Sequence, residues 1–354
     1  MMTSLWTEII DPGRVFVLAE IGVNHNGDIE LAKKMILAAR EAGCDGVKFQ
    51  AFSPAAAKIQ NAPLAKYQKN AGQTSAMEMS KSYHLDSTDF AELQAFCKEI
   101  DLPFILTVFD EVTLDATADL DLELYKIGSG ELVNIPLLAK IAAKGKPMIV
   151  STGMANLAEV DLAVRTIENE GNTDLLLLHC ASVYPARPAD LNLRAMNSLA
   201  RAFGYPVGFS DHSIGSLGAS LAAAMGAVLI EKHFTTDRSL PGPDQSSSAN
   251  PAQMAELTNA VKAARIMLGS GRKEPVPGEL EMRTVSRKSV VTSAAIRAGD
   301  ILSEDNLAIK KPGTGICPRY YQLLMGRTAT RDLPAETIFS WDDVLGGTKE
   351  QDAS

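Results

Sequence analysis

Cysteine is scarce in this chain, and its spacing gives no sign of a paired-cysteine site. The 354 residues contain Cys44, Cys97, Cys180 and Cys317, and no two of them form a C-x-x-C pair. The sequence also shows no secretory signal pattern. We therefore expect reduced thiols and a cytoplasmic location.

Positive charge and long apolar runs are lacking as well. Lysine and arginine number 34 against 43 aspartates and glutamates, which gives a net charge of −9. A nucleic-acid-binding protein would show a basic face, so the composition argues against that class. The longest apolar stretch, residues 216–230, is shorter than the ~20 residues that a membrane span needs. We expect neither nucleic acid nor a membrane as a partner.

Eight short apolar runs, each ending on polar residues and followed by a helix-like segment, are the main feature that is present. They lie at residues 15–21, 46–51, 104–109, 124–128, 148–152, 175–179, 207–210 and 228–233. Near-continuous apolar runs of this length are typical of parallel strands buried on both faces. Eight such units predict an α/β protein with a (β/α)8 TIM barrel, whose chemistry lies at the carboxyl ends of the strands.

The composition changes after the eighth unit. Glycine and proline interrupt the sequence there, and beyond them a weak repeat relates 301–307 to 338–344, which predicts a small β-rich domain. The predicted parts are a barrel at 1–268, a linker at 269–282, the β-rich domain at 283–346 and a disordered tail at 347–354. Residues 53–86 show no clear element, and they are predicted to form a long loop over the active face.

Two histidines stand at the ends of neighbouring runs. His212 follows the seventh run and His233 ends the eighth, in a chain with five histidines. A strand-end histidine is often only a hydrogen-bonded structural residue. Because adjacent barrel strands bring their ends together, however, these two imidazoles are predicted to share one divalent cation.

Two lysines, Lys48 and Lys126, end the second and fourth runs inside otherwise apolar sequence. A buried ammonium needs a partner because an isolated charge in a core is costly. One interpretation is an internal ion pair with Glu20 or Glu131, and a second is the Schiff-base lysine of an aldolase. Hydroxyls at other run ends favour a third interpretation, in which the lysines bind the anionic groups of a small phosphorylated and carboxylated substrate. These hydroxyls belong to Thr107, Ser129, Ser151 and Ser210.

Three carboxylates are predicted at the same face of the barrel. Glu20 and Glu131 follow the first and fourth runs, and Asp244 lies in the loop after the last run. The two glutamates are candidates for binding substrate hydroxyls, for acid–base catalysis or for neutralising the lysines. Taken alone, Asp244 is typical of an ordinary turn.

The motifs at these run ends resemble the sialic acid synthase family, whose members make nonulosonic acids. The matching segments are Ala19–Gly27, Val47–Gln50, Tyr125–Glu131, Ser151–Met154, Phe209–His212, Glu231–Phe234 and Pro241–Asp244. Later segments resemble the antifreeze-like (SAF) domain that is attached to these enzymes. They are Ser289–Val291, Ala298–Asp300 and Lys311–Gly315. The resemblance covers nearly the whole chain.

The resemblance implies a metal-dependent condensation of phosphoenolpyruvate with an open-chain N-acetylhexosamine, with C–O cleavage and release of phosphate. Phosphoenolpyruvate would be held by Lys48, Thr107, Lys126, Ser129, Ser151 and Ser210. The sugar would contact Gln50, Asn70, Glu131, Tyr184, Asp244 and Lys311, and the catalytic set would be Glu20, Lys48, Lys126 and Glu131. His212 and His233 would hold Mn²⁺ for preference, with Mg²⁺ or Co²⁺ as alternatives.

The family also implies a domain-swapped homodimer, in which the SAF domain of one subunit closes the site of the other. At Lys311 this chain departs from the arginine with which the family contacts the N-acyl group, and lysine offers fewer directed donors. We expect N-acetylmannosamine as the sugar, giving N-acetylneuraminate. The alternative sugar is 2,4-diacetamido-2,4,6-trideoxymannose, giving legionaminate.

Overall fold

The computed structural model describes residues 4–70 and 72–345 and separates into two compact units, Met1–Gly269 and Ser270–Ser354. The side chains of Ser4, Tyr67, Asn70 and Leu345 are outside this description. The tail predicted to be disordered, 347–354, also lies outside the described residues.

The first unit is a closed barrel of eight parallel strands that pair in sequence order, so the predicted TIM barrel is confirmed. The strands are β1 (Phe16–Gly22), β2 (Gly46–Ala51), β3 (Phe104–Val108), β4 (Tyr125–Ile127), β5 (Met148–Ser151), β6 (Leu175–Cys180), β7 (Val207–Asp211) and β8 (Leu229–His233). Each strand end lies within one residue of its predicted position.

Helices alternate with these strands and cover the barrel. They are α1 (Ser4–Ile9), α2 (Ile29–Glu41), α3 (Pro54–Ala57), α4 (Lys66–Asn70), α5 (Ala76–Ser82), α6 (Ser87–Glu99), α7 (Glu111–Ala116), α8 (Ile135–Ala142), α9 (Leu157–Asn169), α10 (Arg194–Phe203), α11 (Leu217–Ala224) and α12 (Pro251–Leu268). Several start at a side-chain cap: Asn250 accepts from the backbone of Gln253 at the start of α12, where proline occupies the first turn. No described helix is both long and apolar enough to cross a membrane.

The expectation that residues 53–86 form a loop without elements was wrong. This segment contains the short helices α3, α4 and α5. Helices of four to seven residues are too short to show an apolar stripe in the sequence, and they gain stability from tertiary packing rather than from propensity. Here Met79 of α5 packs with Val23 and Tyr83 in a small buried cluster.

The barrel interior is apolar at one end and polar at the other. Its apolar end contains side chains of five strands and one residue that precedes β4: Phe16, Leu18, Ile105, Leu124, Ile149, Leu176, Leu178 and Leu229. Helix α1 packs against this cluster through Leu5, Trp6 and Ile9, at the end where the strands begin. Because the interior is closed there by apolar packing, the polar residues occupy the carboxyl ends of the strands.

The second unit is a small β domain with its own core. Strand β9 (Ser289–Thr292) pairs antiparallel with β10 (Leu307–Lys310), and single bridges join Val291 to Ile338 and Ile296 to Leu333. Its helices are α13 (Pro277–Ser286), α14 (Tyr321–Leu324) and α15 (Asp342–Leu345). The small β domain predicted after the barrel is therefore present, and α13 begins inside the segment that was predicted as a linker.

Candidate active site

A cavity of about 480 Å³ opens at the carboxyl ends of the barrel strands. Strand register brings its polar residues together: Glu20 lies beside both Lys48 and His233, and Thr107 lies beside Lys126. Thirteen residues predicted from the sequence line this cavity. They are Glu20, Lys48, Gln50, Thr107, Lys126, Ser129, Glu131, Ser151, Tyr184, Ser210, His212, His233 and Asp244.

Two predicted site residues are not among these. Asn70 ends α4, and its side chain lies outside the described part of the chain. Lys311 belongs to the second unit, where it directly follows β10. Their predicted contacts with a sugar therefore stay predictions.

The two predicted lysines converge on one carboxylate, that of Glu231. Lys48 Nζ lies 3.5 Å and Lys126 Nζ lies 3.7 Å from Glu231 Oε2, and all three side chains are buried. Lys48 also pairs with Glu20 Oε2 at 2.8 Å. The internal partner expected for the lysines is therefore Glu20 together with Glu231, and no described ion pair joins either lysine to Glu131.

The two lysines differ in pKa because their carboxylate partners differ. Burial works against the charge of Lys48, but the carboxylates of Glu20 and Glu231 outweigh it and raise its pKa. Burial dominates at Lys126 and lowers its pKa to about 8, although Glu231 works in the opposite direction. Burial also opposes ionisation of Glu231, yet the two ammoniums outweigh it and lower the pKa of Glu231 to about 2. The carboxylate is therefore ionised throughout the physiological range.

Hydroxyl groups surround the two ammoniums. Lys48 Nζ donates to Thr107 Oγ1 at 3.1 Å, and Lys126 Nζ donates to Ser151 Oγ at 2.7 Å. Ser210 Oγ donates to Glu231 Oε1 at 2.9 Å. Ser129 Oγ, further along the same rim, accepts from the backbone N–H of Gly153 at 3.0 Å. Two cations and several hydroxyls in one desolvated site suit a small polyanion.

The predicted histidine pair is close enough to act on one ligand. The ring centres of His212 and His233 are 5.3 Å apart, and the Tyr184 ring stacks on His212 at 4.1 Å. His212 Nδ1 lies 2.8 Å from the carbonyl oxygen of Ala181. Because a carbonyl only accepts, Nδ1 donates, and Nε2, which lies 3.4 Å from Ser210 Oγ, is the ring nitrogen available to a metal.

The surroundings of His233 also fit a cation site. Its Nδ1 is buried, has no hydrogen-bond partner among the described residues, and lies 3.9 Å from Asp244 Oδ2. Burial, together with the charges of His212 and Lys48, holds the pKa of His233 well below its usual range, so the ring is neutral. Within the described part of the chain, no group of three or more His, Cys, Asp or Glu side chains is arranged around a metal. The imidazole pair would leave the other coordination positions to water or substrate.

In contrast to Glu231, three other carboxyl groups of the site have raised pKa values. Burial and the nearby charge of Glu20 raise the pKa of Asp244 to about 6. Burial also raises the pKa of Glu20, despite its contact with Lys48 and a 2.6 Å hydrogen bond from Gln50. Burial raises the pKa of Glu131, which accepts from Asn134 Nδ2 at 2.7 Å. Three carboxyls around one cavity therefore protonate more readily than exposed carboxyls do.

Several residues that line the cavity were not assigned from the sequence, among them Glu231, Cys180 and Lys58. Glu231 lies two residues before His233, and alternation along β8 places both side chains on the same inner face. Cys180 ends β6, and its Sγ lies 3.7 Å from His212 Nδ1. Lys58 lies in the segment that was predicted as a loop. Strand alternation could have found Glu231, whereas Lys58 gave no signal without its helices.

Comparisons with known proteins agree with this architecture. A family model described as the NeuB family matches residues 35–273, and the SAF domain model matches residues 287–345. The N,N'-diacetyllegionaminic acid synthase of Legionella pneumophila is 41% identical over 335 residues, which cover 93% of this chain and 94% of the relative. The mouse N-acetylneuraminate-9-phosphate synthase is 36% identical over 303 residues, which cover 83% of this chain and 82% of the relative.

A solved structure extends the likeness to three dimensions. The N-acetylneuraminic acid synthetase of Leptospira borgpetersenii, crystallised with citrate, has a TM-score of 0.67 and 34% identity. The match covers 77% of this chain and 90% of the other. Together with the barrel and the SAF domain, these likenesses show that the chain belongs to the NeuB family of acid synthases and is a condensing enzyme of the transferase type.

Proposed function

We propose that this enzyme condenses phosphoenolpyruvate with the open-chain aldehyde form of an N-acylated amino hexose and releases inorganic phosphate. The observation that carries the proposal is the pair of buried ammoniums, Lys48 and Lys126, which share the Glu231 carboxylate. Phosphoenolpyruvate has two anionic groups, a phosphate and a carboxylate. A desolvated site with two cations and several hydroxyl donors suits both of them.

In this proposal the protein positions an enol that the substrate already supplies. Lys48 and Lys126, with Thr107, Ser129, Ser151 and Ser210, bind the anionic oxygens of phosphoenolpyruvate. C3 of the enol attacks the aldehyde carbon and forms the new C–C bond. Water then adds to the cationic C2, and the tetrahedral intermediate expels phosphate by cleavage of the C2–O bond. Neither lysine needs to form a Schiff base.

His212 and His233 would hold a divalent cation, for which Mn²⁺ is preferred and Mg²⁺ or Co²⁺ are alternatives. The ion would supply Lewis-acid polarisation of the sugar aldehyde. The contribution of this chain is to fix the two rings: the Ala181 carbonyl orients His212, and the adjacent register of β7 and β8 sets their separation.

The remaining polar residues fit the sugar and the added water. Asp244 is buried beside His233, and its pKa of about 6 lets it exchange a proton near neutral pH. Glu20 and Glu131 are the carboxylates available to position water at C2. Sugar hydroxyls are assigned to Gln50, Asn70, Glu131, Tyr184, Asp244 and Lys311.

Two sugars are candidates. N-acetylmannosamine, giving N-acetylneuraminate, follows from the sequence motifs. The Legionella relative, with its higher identity, supports 2,4-diacetamido-2,4,6-trideoxymannose and a legionaminate product equally well. A domain-swapped homodimer and a cytoplasmic location are further predictions that we carry over from the resemblance.

A Schiff-base aldolase is the competing reaction, because a lysine with a pKa of about 8 is a usable nucleophile. In that case pyruvate would form a Schiff base with Lys126, and borohydride would reduce it to a stable covalent adduct. We expect no such adduct by intact-mass spectrometry, and an adduct that disappears in Lys126→Met would support the aldolase instead.

The direct test is phosphate release with phosphoenolpyruvate and Mn²⁺ against a panel of N-acylated hexosamines. We expect phosphate with at least one sugar, in a 1:1 ratio to a nonulosonic acid identified by mass. Phosphate released equally without any sugar would indicate a phosphatase activity. No phosphate with any sugar would overturn the proposal.

A further inference from the structure

The segment after β2 contributes a third lysine to the cavity, and the proposed reaction does not use it. Lys58 directly follows α3, is half-buried, and lines the same cavity as His233 and Asp244. Its Nζ donates to Ser80 Oγ at 2.5 Å and lies 5.8 Å from the centre of the Phe52 ring. Its position is therefore set by contacts within this segment.

Lys58 differs from the other two cavity lysines in its charge environment. Lys48 and Lys126 each lie within 4.0 Å of a carboxylate. Among the described residues, Lys58 has no carboxylate within that distance, and burial lowers its pKa. Ser80 is buried, and its hydroxyl keeps its own proton when it accepts from Lys58. The pair therefore offers more donors than acceptors to whatever occupies the cavity.

The surroundings of this donor pair are apolar. Val23, Met79 and Tyr83 form a buried cluster, against which Phe52 and Leu64 pack. Val23, Phe52, Met79 and Tyr83 also line the cavity. Tyr83 and Asp244 line the same cavity, and burial together with the charge of Asp244 raises the pKa of Tyr83. An apolar wall with one donor pair thus runs from the histidine end of the cavity to Lys58.

Building on the proposed function, we propose that Lys58 and Ser80 form a subsite for the far end of the sugar and make the enzyme selective for a hexose with an acylamino group at C4 and a methyl group at C6. The aldehyde end of the sugar reacts beside the two histidines, so the other carbons of the sugar extend along the apolar wall. The acyl oxygen at C4 accepts from the donor pair. The C6 methyl packs against the apolar wall, where a hydroxyl would be left without a partner.

A phosphate at C6 fits this subsite poorly. Phosphate groups are bound by several charged or bidentate donors, of which arginine is the most common. Among the described residues that line the cavity, Lys58 is the single lysine without a carboxylate partner, since the other two pair with Glu20 and Glu231. A neutral acyl oxygen is matched by one ammonium and one hydroxyl.

The test compares three sugars: 2,4-diacetamido-2,4,6-trideoxymannose, N-acetylmannosamine and N-acetylmannosamine 6-phosphate. Phosphate release gives kcat/KM for each with the wild type and with Lys58→Met, which keeps chain length but removes the donors. We expect the ratio of kcat/KM for the diacetamido sugar over N-acetylmannosamine to fall about 10- to 100-fold, mainly through KM, as for the loss of a hydrogen bond to a charged group. Ser80→Ala should lower the same ratio by a smaller factor.

Lys81→Met is the matched control, because Lys81 is next to Ser80 but exposed and paired with Glu78. It should leave the ratio unchanged, and thermal unfolding should show that Lys58→Met remains folded. An unchanged ratio in a folded Lys58→Met would overturn the subsite while leaving the condensation intact. A selective loss of activity on the 6-phosphate sugar would overturn it in favour of an anion site. No phosphate from the wild type with any sugar would overturn the proposed function, and this inference with it.

Discussion

Lys126 Nζ lies 3.7 Å from Glu231 Oε2, and the same carboxylate oxygen is 3.5 Å from Lys48 Nζ. This one buried carboxylate therefore contacts both buried ammoniums. Glu20, whose Oε2 lies 2.8 Å from Lys48 Nζ, is the second carboxylate of the cluster. We infer that phosphoenolpyruvate binds at this cluster through its anionic groups.

Replacing this carboxylate tests that inference. Glu231→Gln should lower the free energy of unfolding by about 3 kcal/mol, because two buried ammoniums lose a counter-charge. Saturating phosphoenolpyruvate should then raise the melting temperature of the variant more than that of the wild type. An equal shift for both proteins, measured by differential scanning fluorimetry, would mean that the substrate does not contact these lysines. Glu78→Gln, on the exposed side of α5, is the control.

The lysine cluster also predicts a pH dependence. Lys126 must be protonated to bind an anion, and its pKa is about 8 because burial outweighs the pull of Glu231. As pH rises through that value the ammonium is lost, so kcat/KM for phosphoenolpyruvate should fall on the alkaline side of about pH 8. Glu231→Gln should move this alkaline limb to lower pH, since it removes a negative charge that favours the protonated lysine. A limb unaffected by the substitution would assign it to another group.

Metal removal should separate function from folding. Chelation with EDTA should abolish phosphate release without changing the circular dichroism of the barrel, because the core does not depend on the histidine pair. His212→Ala should weaken Mn²⁺ binding by at least about 100-fold in calorimetry, since it removes a ligand rather than a supporting contact. His84→Ala, an exposed histidine, is the control. Equal Mn²⁺ affinity in all three proteins would exclude the pair as ligands.

Stability should depend on the helix that closes the amino-terminal end of the barrel. Trp6 is 2% exposed and packs against the inward-facing residues of the strands. Trp6→Ala should therefore cost about 3–5 kcal/mol in chemical denaturation. Val112→Ala, at a position that is 58% exposed, should change the free energy of unfolding by less than about 0.5 kcal/mol. A small loss for Trp6→Ala would mean that α1 does not contribute to the core.

The barrel was predictable from sequence because each strand is a short apolar run that stops on a polar residue. These runs located every strand end to within one residue. They also predicted that Lys48, Lys126, His212 and His233 lie at one face of the barrel, where all four line the cavity. The apolar runs do not show which inward-facing residue is the counter-ion of the two lysines. In the sequence Glu231 stands out only by its nearness to His233, whereas its role depends on distances to lysines on two other strands.

Other features depend on tertiary contacts that leave no periodic pattern. Helices α3 to α5 are too short to show one, so the wall containing Lys58 and Met79 was read as a loop. Helix α1 is likewise only six residues long, and its burial comes from its position under the barrel. Short helices of this kind are defined by what they pack against.

In the proposed condensation phosphoenolpyruvate loses phosphate by C–O cleavage, and an isotope experiment measures which bond breaks. Phosphoenolpyruvate carrying ¹⁸O in the bridging C–O–P position would be turned over with Mn²⁺ and the preferred sugar, and the released phosphate analysed by mass. We expect the label to leave with the phosphate. Label retained in the nine-carbon product, or phosphate formed only after free pyruvate appears, would contradict it.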